Sequence, residues 1–209
     1  MTSICWDVDT QHDFISAAGL LSVPKAEQLI PNLKALTDWA HARRIVIVAS
    51  ADDHDPGDLE ISDTPDWKTT YPPHCMHGTP GQLKVAATML RHPMIIEPDP
   101  RDAAELSTAL RTHDGDVLLL KHGTDVFHWN PNAAIVLAAL APDRIIVYGV
   151  ATDICTRAAV AGLARLRPEA RLSIVIDAIR GIDDQASRAL LGEWRAAGHL
   201  LTHTAEVIL

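Results

Sequence analysis

The sequence predicts an α/β fold: a three-layer αβα arrangement around a central, mostly parallel sheet of about six strands. Three observations lead there. Short apolar runs alternate with stretches of helical periodicity along the chain. The runs are rich in Ile, Val and Leu on both faces, as expected of parallel strands covered by helices on each side. No linker, internal repeat or low-complexity segment interrupts the pattern, so residues 1–209 read as a single domain.

Taken in order, Ile4 to Val8 reads as the first strand. Lys25 to Arg43 reads as a helix, with Leu29, Leu33, Leu36 and Trp39 on roughly one face. Ile45 to Ala49 is the second strand. Asp102 to His113 is a helix with an acidic first turn, and Val117 to Lys121 is the third strand. Asn132 to Leu140 is helical, and Ile145 to Val150 is the fourth strand. Thr156 to Arg167 is a helix, Leu172 to Ile176 the fifth strand, Asp184 to Ala197 a helix, and Leu200 to Thr202 a sixth strand. The irregular part is Asp52 to Gln82, rich in Pro, Gly, Asp and His. A loop of that length inside one domain usually carries function.

Composition narrows the function. A hydrophobic share of 47% supplies a core for a free-standing domain. A net charge of -9 with no Lys/Arg cluster argues against a nucleic-acid or anionic-membrane surface. Three cysteines make no disulfide framework and read as free thiols in a reducing cytoplasm. The N-terminus lacks the look of a signal peptide, and no apolar run is long enough to cross a bilayer. The expected partner is a small molecule; a homo-oligomer is left open.

The most informative stretch runs from Val147 to Arg157. An apolar strand ends at Gly149-Val150, Ala151-Thr152-Asp153-Ile154 follows, and Cys155 stands where the next helix begins. Unpaired N–H groups and the positive dipole end favour a thiolate there, and the thiolate is the nucleophile. In open parallel sheets, ligands bind beyond the carboxyl ends of the strands. Asp9 follows strand one, Asp52 and His54 follow strand two, Lys121 ends strand three, and Cys155 follows strand four. Four strands thus deliver reactive side chains to one edge. Asp9 is the candidate general base; Asp7, deeper in the strand, is the weaker choice. Lys121 is a cation expected to lower the thiol pKa and to hold the carboxylate.

Asp52 and His54 are two apart, so an extended segment points both one way, and His74 follows the stiff Tyr71-Pro72-Pro73 turn. One carboxylate with two imidazoles suits Zn²⁺, Fe²⁺ or Mn²⁺. Asp58, Glu60, Asp63 and Asp66 are further acidic groups in the loop, and Cys75 adjoins His74. Phe14, Trp67, Tyr71, Phe127 and Trp129 fall in loops near this edge, with Phe14, Tyr71 and Phe127 the candidates to wall a pocket for a flat ring.

Together these motifs resemble the isochorismatase-like cysteine hydrolases, and within them the nicotinamidase/pyrazinamidase branch. Asp9-Thr10-Gln11-His12-Asp13-Phe14 is similar to D-x-Q-N-D-F. Asp52-Asp53-His54 is similar to the D-x-H metal segment. Tyr71-Pro72-Pro73-His74-Cys75 with Gly78-Thr79-Pro80-Gly81 is similar to W-P-P-H-C…G-T-x-G, and Gly149 to Cys155 is similar to G-[IV]-A-T-D-x-C. The resemblance implies a triad of Asp9, Lys121 and Cys155 that cleaves a ring carboxamide through a thioester. It implies an oxyanion hole from the N–H groups of Ala151 and Cys155, with a cis peptide between Val150 and Ala151. It also implies one divalent metal, zinc first, with iron or manganese as alternatives. Asp52, His54 and His74 would hold it against a pyridine nitrogen, with Glu60 as the remaining ligand, and the role would be in NAD salvage. Leu59-Glu60 stands where relatives often carry a His, and His12 replaces the usual Asn. The runner-up keeps the triad but takes an N-carbamoyl, ureido or maleamate-type amide. A catalytically silent binding protein is the competitor from another class.

Overall fold

In the computed structural model, which describes residues 2–209, seven strands form one sheet in which every pairing is parallel. Along the chain the elements are β1 (Ser3–Val8), α1 (His12–Ile15), α2 (Ile30–Ala42), β2 (Val46–Asp52), β3 (Met94–Ile96), α3 (Ala103–Thr112), β4 (Val117–Lys121), α4 (Val126–Trp129), α5 (Asn132–Leu140), β5 (Arg144–Val150), α6 (Arg157–Leu166), β6 (Arg171–Arg180), α7 (Asp184–Ala196), β7 (Leu200–Thr202) and α8 (Thr204–Ile208). The spatial order is β3-β4-β2-β1-β5-β6-β7.

Alternation along each strand splits the core in two. Ile4, Trp6 and Val8 of β1 join Leu106, Val136, Val160 and Trp194 from α3, α5, α6 and α7 on one face. Cys5 of β1 joins Phe14, Leu33, Leu36 and Val207 from α1, α2 and α8 on the other. Both faces are covered, and the three-layer prediction stands.

Strand β2 runs on to Asp52, three residues past the expected end, and three further features differ from expectation. The sheet has a seventh strand, β3, which spans three residues between Pro93 and Pro98 and pairs only with β4. Held between two prolines in a Pro- and His-containing stretch, with no α-helix between it and β2, it reads in sequence as loop. The expected first helix begins as a 3₁₀ turn, Ala26–Leu29, because Pro31 suits only the first turn of the α-helix that follows. Strand β6 runs on to Arg180, past the polar Asp177, through a register shift opposite Val147 to Gly149.

The chain winds to one side of β1 through β2, β3 and β4, then returns to its other side with β5. The direction of winding therefore reverses between β1 and β5, which opens a crevice at their carboxyl ends. Gly149 makes the close approach possible. Its φ is +118°, and a Cβ there would collide with the Val8 carbonyl on β1.

Candidate active site

The crevice brings Asp9, Lys121 and Cys155 together. Asp9 lies one residue past β1 with a left-handed φ of 47°. Its amide donates to Ser50 O at 3.3 Å and its Oδ1 accepts from Ser50 Oγ at 2.6 Å. Asp52 and Lys121 are the last residues of neighbouring strands and sit opposite each other in register. Lys121 Nζ lies 3.0 Å from Asp9 Oδ2, 4.0 Å from Cys155 Sγ, and in close contact with Asp52 Oδ1. All four groups are buried.

Burial sets the charge states here. It pushes the Cys155 thiol well up; Lys121 pulls it down, while Asp9 and Asp52 add to the rise. The thiol, not the expected thiolate, is the resting form, because burial with the two carboxylates outweighs the pull of Lys121. Cys155 also sits in a π-helical turn, Thr152–Thr156, one turn earlier than α6 proper. Burial raises Asp9 too, against the pull of Lys121. For Asp52 burial is the largest influence and acts upward, yet Lys121 with His74 and His54 outweighs it and holds the carboxyl well below the usual range. Lys121 loses stability as a cation through burial, and the Asp52 and Asp9 carboxylates more than restore it. The resting site is thus a protonated thiol beside a firmly charged ammonium.

Strand β5 leads into that turn through a cis peptide between Val150 and Ala151. The amides of Ile154 and Thr156 donate to Ala151 O at 3.1 and 3.0 Å. Asp153 ties the turn down from outside, accepting the amides of Ile182 and Asp183 at 3.0 and 2.8 Å.

Asp52 faces a second cluster through its other oxygen. His54 Nε2 and His74 Nε2 lie 3.9 and 3.8 Å from Asp52 Oδ2, and the potential ligand atoms of the three residues lie within 4.8 Å of one another. Each ring's other nitrogen is taken: His54 Nδ1 by Asp58 at 2.9 Å and His74 Nδ1 by Pro72 O at 2.8 Å. His54 Nε2 is a buried atom without a hydrogen-bond partner, an arrangement that a metal ion would complete. Burial also lowers the His54 pKa, which favours the neutral ring a metal needs. For His74 burial acts the same way, but the neighbouring Asp52 carboxylate outweighs it and the pKa rises. One carboxylate and two imidazoles suit a divalent transition metal.

A pocket opens over these groups, lined by Cys155, Asp52, His74, Glu60, Thr124, Val150 and Ala151 together with Phe14, Leu21, Val23, Tyr71, Ile154 and Ile182. The Phe14 and Tyr71 ring centroids stand 5.3 and 6.3 Å from that of His74. Phe127, expected in this wall, is instead stacked on Trp6 in the core at 5.4 Å and backed by Gly162, where a Cβ would strike it. It belongs to α4, whose inner face turns to the sheet. Glu60 lines the pocket but stands outside the cluster of three converging ligands. Burial, with Asp52 adding, pushes its pKa up to about 7.

The remaining loop acids divide by position. Asp58 holds His54 from behind. Asp63 and Asp66 are exposed, Asp66 capping amides of residues 68–70. Cys75 is buried and its amide donates to Asp13 Oδ2 at 2.7 Å; Trp67 and His12 are exposed. Asp7 pairs with Lys84 at 3.0 Å, away from the thiol's partners. Sequence reasoning gave no role to Gln11, whose side chain clamps Asp52 by accepting its N–H and donating to its C=O, both at 2.7 Å. Nor did it find Ser50; the one signal was a small polar residue inside an apolar strand.

With this geometry described, three comparisons bear on it. The isochorismatase domain family model matches residues 4–206. The chain is 28% identical over 194 residues to the nicotinamidase/pyrazinamidase of Mycobacterium tuberculosis, covering 91% of this chain and 92% of that protein. It is 26% identical over 229 residues to the nicotinamidase of Escherichia coli, covering 95% and 93%. The crystal structure of the pyrazinamidase of Pyrococcus horikoshii in complex with zinc shares the fold. Its TM-score is 0.74 at 22% identity, with 97% of this chain and 99% of that one covered.

Proposed function

The chain belongs to the isochorismatase domain family, and from that premise we propose that it is a metal-containing cysteine amidohydrolase of the nicotinamidase branch. Its substrate is nicotinamide or a related ring carboxamide such as pyrazinamide, and its products are the acid and ammonia. One observation carries the reading: an ammonium 3.0 Å from a carboxylate and 4.0 Å from a cysteine sulfur that lines an aromatic-walled pocket.

The chemistry follows from the charge states. The thiol is protonated at rest, so attack needs a base at the moment of reaction. Asp9 takes the thiol proton as Cys155 Sγ bonds to the amide carbon. Lys121 holds the carboxylate in place and faces the sulfur as it gains charge. The oxygen of the tetrahedral intermediate meets the N–H groups of Ala151 and Cys155. Asp9 then passes its proton to the departing nitrogen, which leaves as ammonia, and a thioester remains. Asp9 draws a proton from water as its oxygen attacks the thioester carbon; the acid is released as the sulfur departs, and Asp9 returns the proton to Cys155 Sγ, restoring the thiol. Phe14, Tyr71, Leu21, Val23 and Ile182 flank a flat ring and limit water.

Asp52, His54 and His74 would hold the metal, zinc first, with Glu60 facing the same space. When bound, that ion supplies an anchor for the substrate's ring nitrogen. We place the reaction in pyridine-nucleotide salvage, in the cytoplasm. No helix among the described residues is long and apolar enough to cross a membrane.

The test is ammonia release from nicotinamide, pyrazinamide, an N-carbamoyl amino acid, a ureido compound and maleamate, with metal analysis of the same sample. Turnover of the ring carboxamides, lost in Cys155→Ala, supports the reading. Turnover confined to the linear amides would move the substrate to the runner-up class, and no turnover of any would end it.

A further inference from the structure

The metal reading leaves one carboxylate unexplained. Asp58 closes a tight turn, its amide donating to Asp55 O at 3.0 Å. Its Oδ2 accepts from His54 Nδ1 at 2.9 Å and from the Asp55 amide at 3.1 Å. His122 Nδ1 stands 3.2 Å from the same oxygen, close but poorly aligned for a hydrogen bond. It therefore limits where the carboxylate can swing without competing for the His54 proton. His122 directly follows Lys121, so this stop is mounted on the end of β4.

A neutral imidazole carries one proton and one lone pair. The group that accepts the proton decides which nitrogen keeps the lone pair. With Nδ1–H bonded to Asp58, the lone pair of His54 lies on Nε2, the buried atom that has no partner and faces Asp52 and His74. A ring held only by packing could rotate or change tautomer and turn a hydrogen toward the ion.

We propose that Asp58 is the positioning residue of the metal site: it fixes the ring and tautomer of His54 from behind, and His122 backs that carboxylate from the end of β4. The inference rests on the metal reading above.

Zinc affinity of the chelator-stripped protein, measured by competition with a chromophoric chelator, tests it, together with the visible spectrum of the cobalt(II) form. Asp58→Ala should weaken zinc binding about 10- to 100-fold and alter the cobalt bands. Asp58→Asn keeps a carbonyl that accepts both N–H groups, so it should recover most of the affinity and the wild-type spectrum. That recovery separates hydrogen-bonded orientation from charge, since both variants lose the same charge. Zinc affinity of Asp58→Ala within twofold of wild type, with unchanged cobalt bands, overturns the proposal; so does an Asn variant as impaired as Ala. A wild-type chain that takes up no zinc fails at the earlier reading, whereas tight wild-type binding beside an unaffected Asp58→Ala fails here alone.

Discussion

Replacing Lys121 by Met removes a cation and leaves its shape. In the wild type the ammonium is 1% exposed and lies between Asp9, 3.0 Å away and fully buried, and Asp52, 2% exposed. Without it two buried carboxyls lose the cation between them, and only His54 and His74 remain beside Asp52. Breaking a buried pair by removing one partner costs about 3–5 kcal/mol. For a chain of this size that corresponds to a fall in Tm of about 6–20 °C. The pH dependence has a definite sign. In the wild type the lowered Asp52 contributes stability above the unfolded carboxyl value, lost as pH falls through its folded one. In the variant Asp9 loses the cation that opposed its burial and Asp52 keeps only the histidines, so ionising both carboxyls costs more than in the wild type. The deficit should be greatest at pH 7–8 and shrink toward pH 5. Thermal melts of chelator-stripped wild type and Lys121→Met across that range read it directly. A deficit under 2 °C at neutral pH, or one that grows on acidification, would refute the electrostatic account of this site.

Cys155→Ala should keep the fold by circular dichroism and lose ammonia release by at least about 10⁴-fold; substantial residual turnover removes the nucleophile assignment. His54→Ala should lose stoichiometric metal by elemental analysis, and full metal content would remove that site. Phe127→Ala should lower stability by about 3 kcal/mol with KM little changed, because the ring packs on Trp6; a large KM effect at wild-type stability would return it to the pocket. Glu60 is a raised acid, so in the stripped protein its ionisation subtracts stability as pH climbs from the unfolded value through about 7. Glu60→Gln should flatten that slope in urea titrations, and an unaltered slope would contradict it.

The sheet was legible in sequence because its strands are long, apolar and separated by amphipathic helices. β3 was not, since Met94–Ile96 lies between prolines and no α-helix separates it from β2. The edge that gathers Asp9, Asp52, Lys121 and Cys155 was also legible, because parallel topology sends every strand's end the same way. What sequence could not give was depth. A lysine at a strand end looks solvated, yet Lys121 is buried, and the same burial turns the expected thiolate into a thiol. Phe127 could not be placed for a related reason: a short helix, α4, turned its ring inward where a loop would have left it free.

Asp52 offers one oxygen to the lysine and the other to the two imidazoles. The two clusters therefore share one carboxylate, and a substitution there reaches both. A hydrolase lacking the ion could arise from this scaffold by loss of the histidines alone, with the acid retained for the lysine's sake.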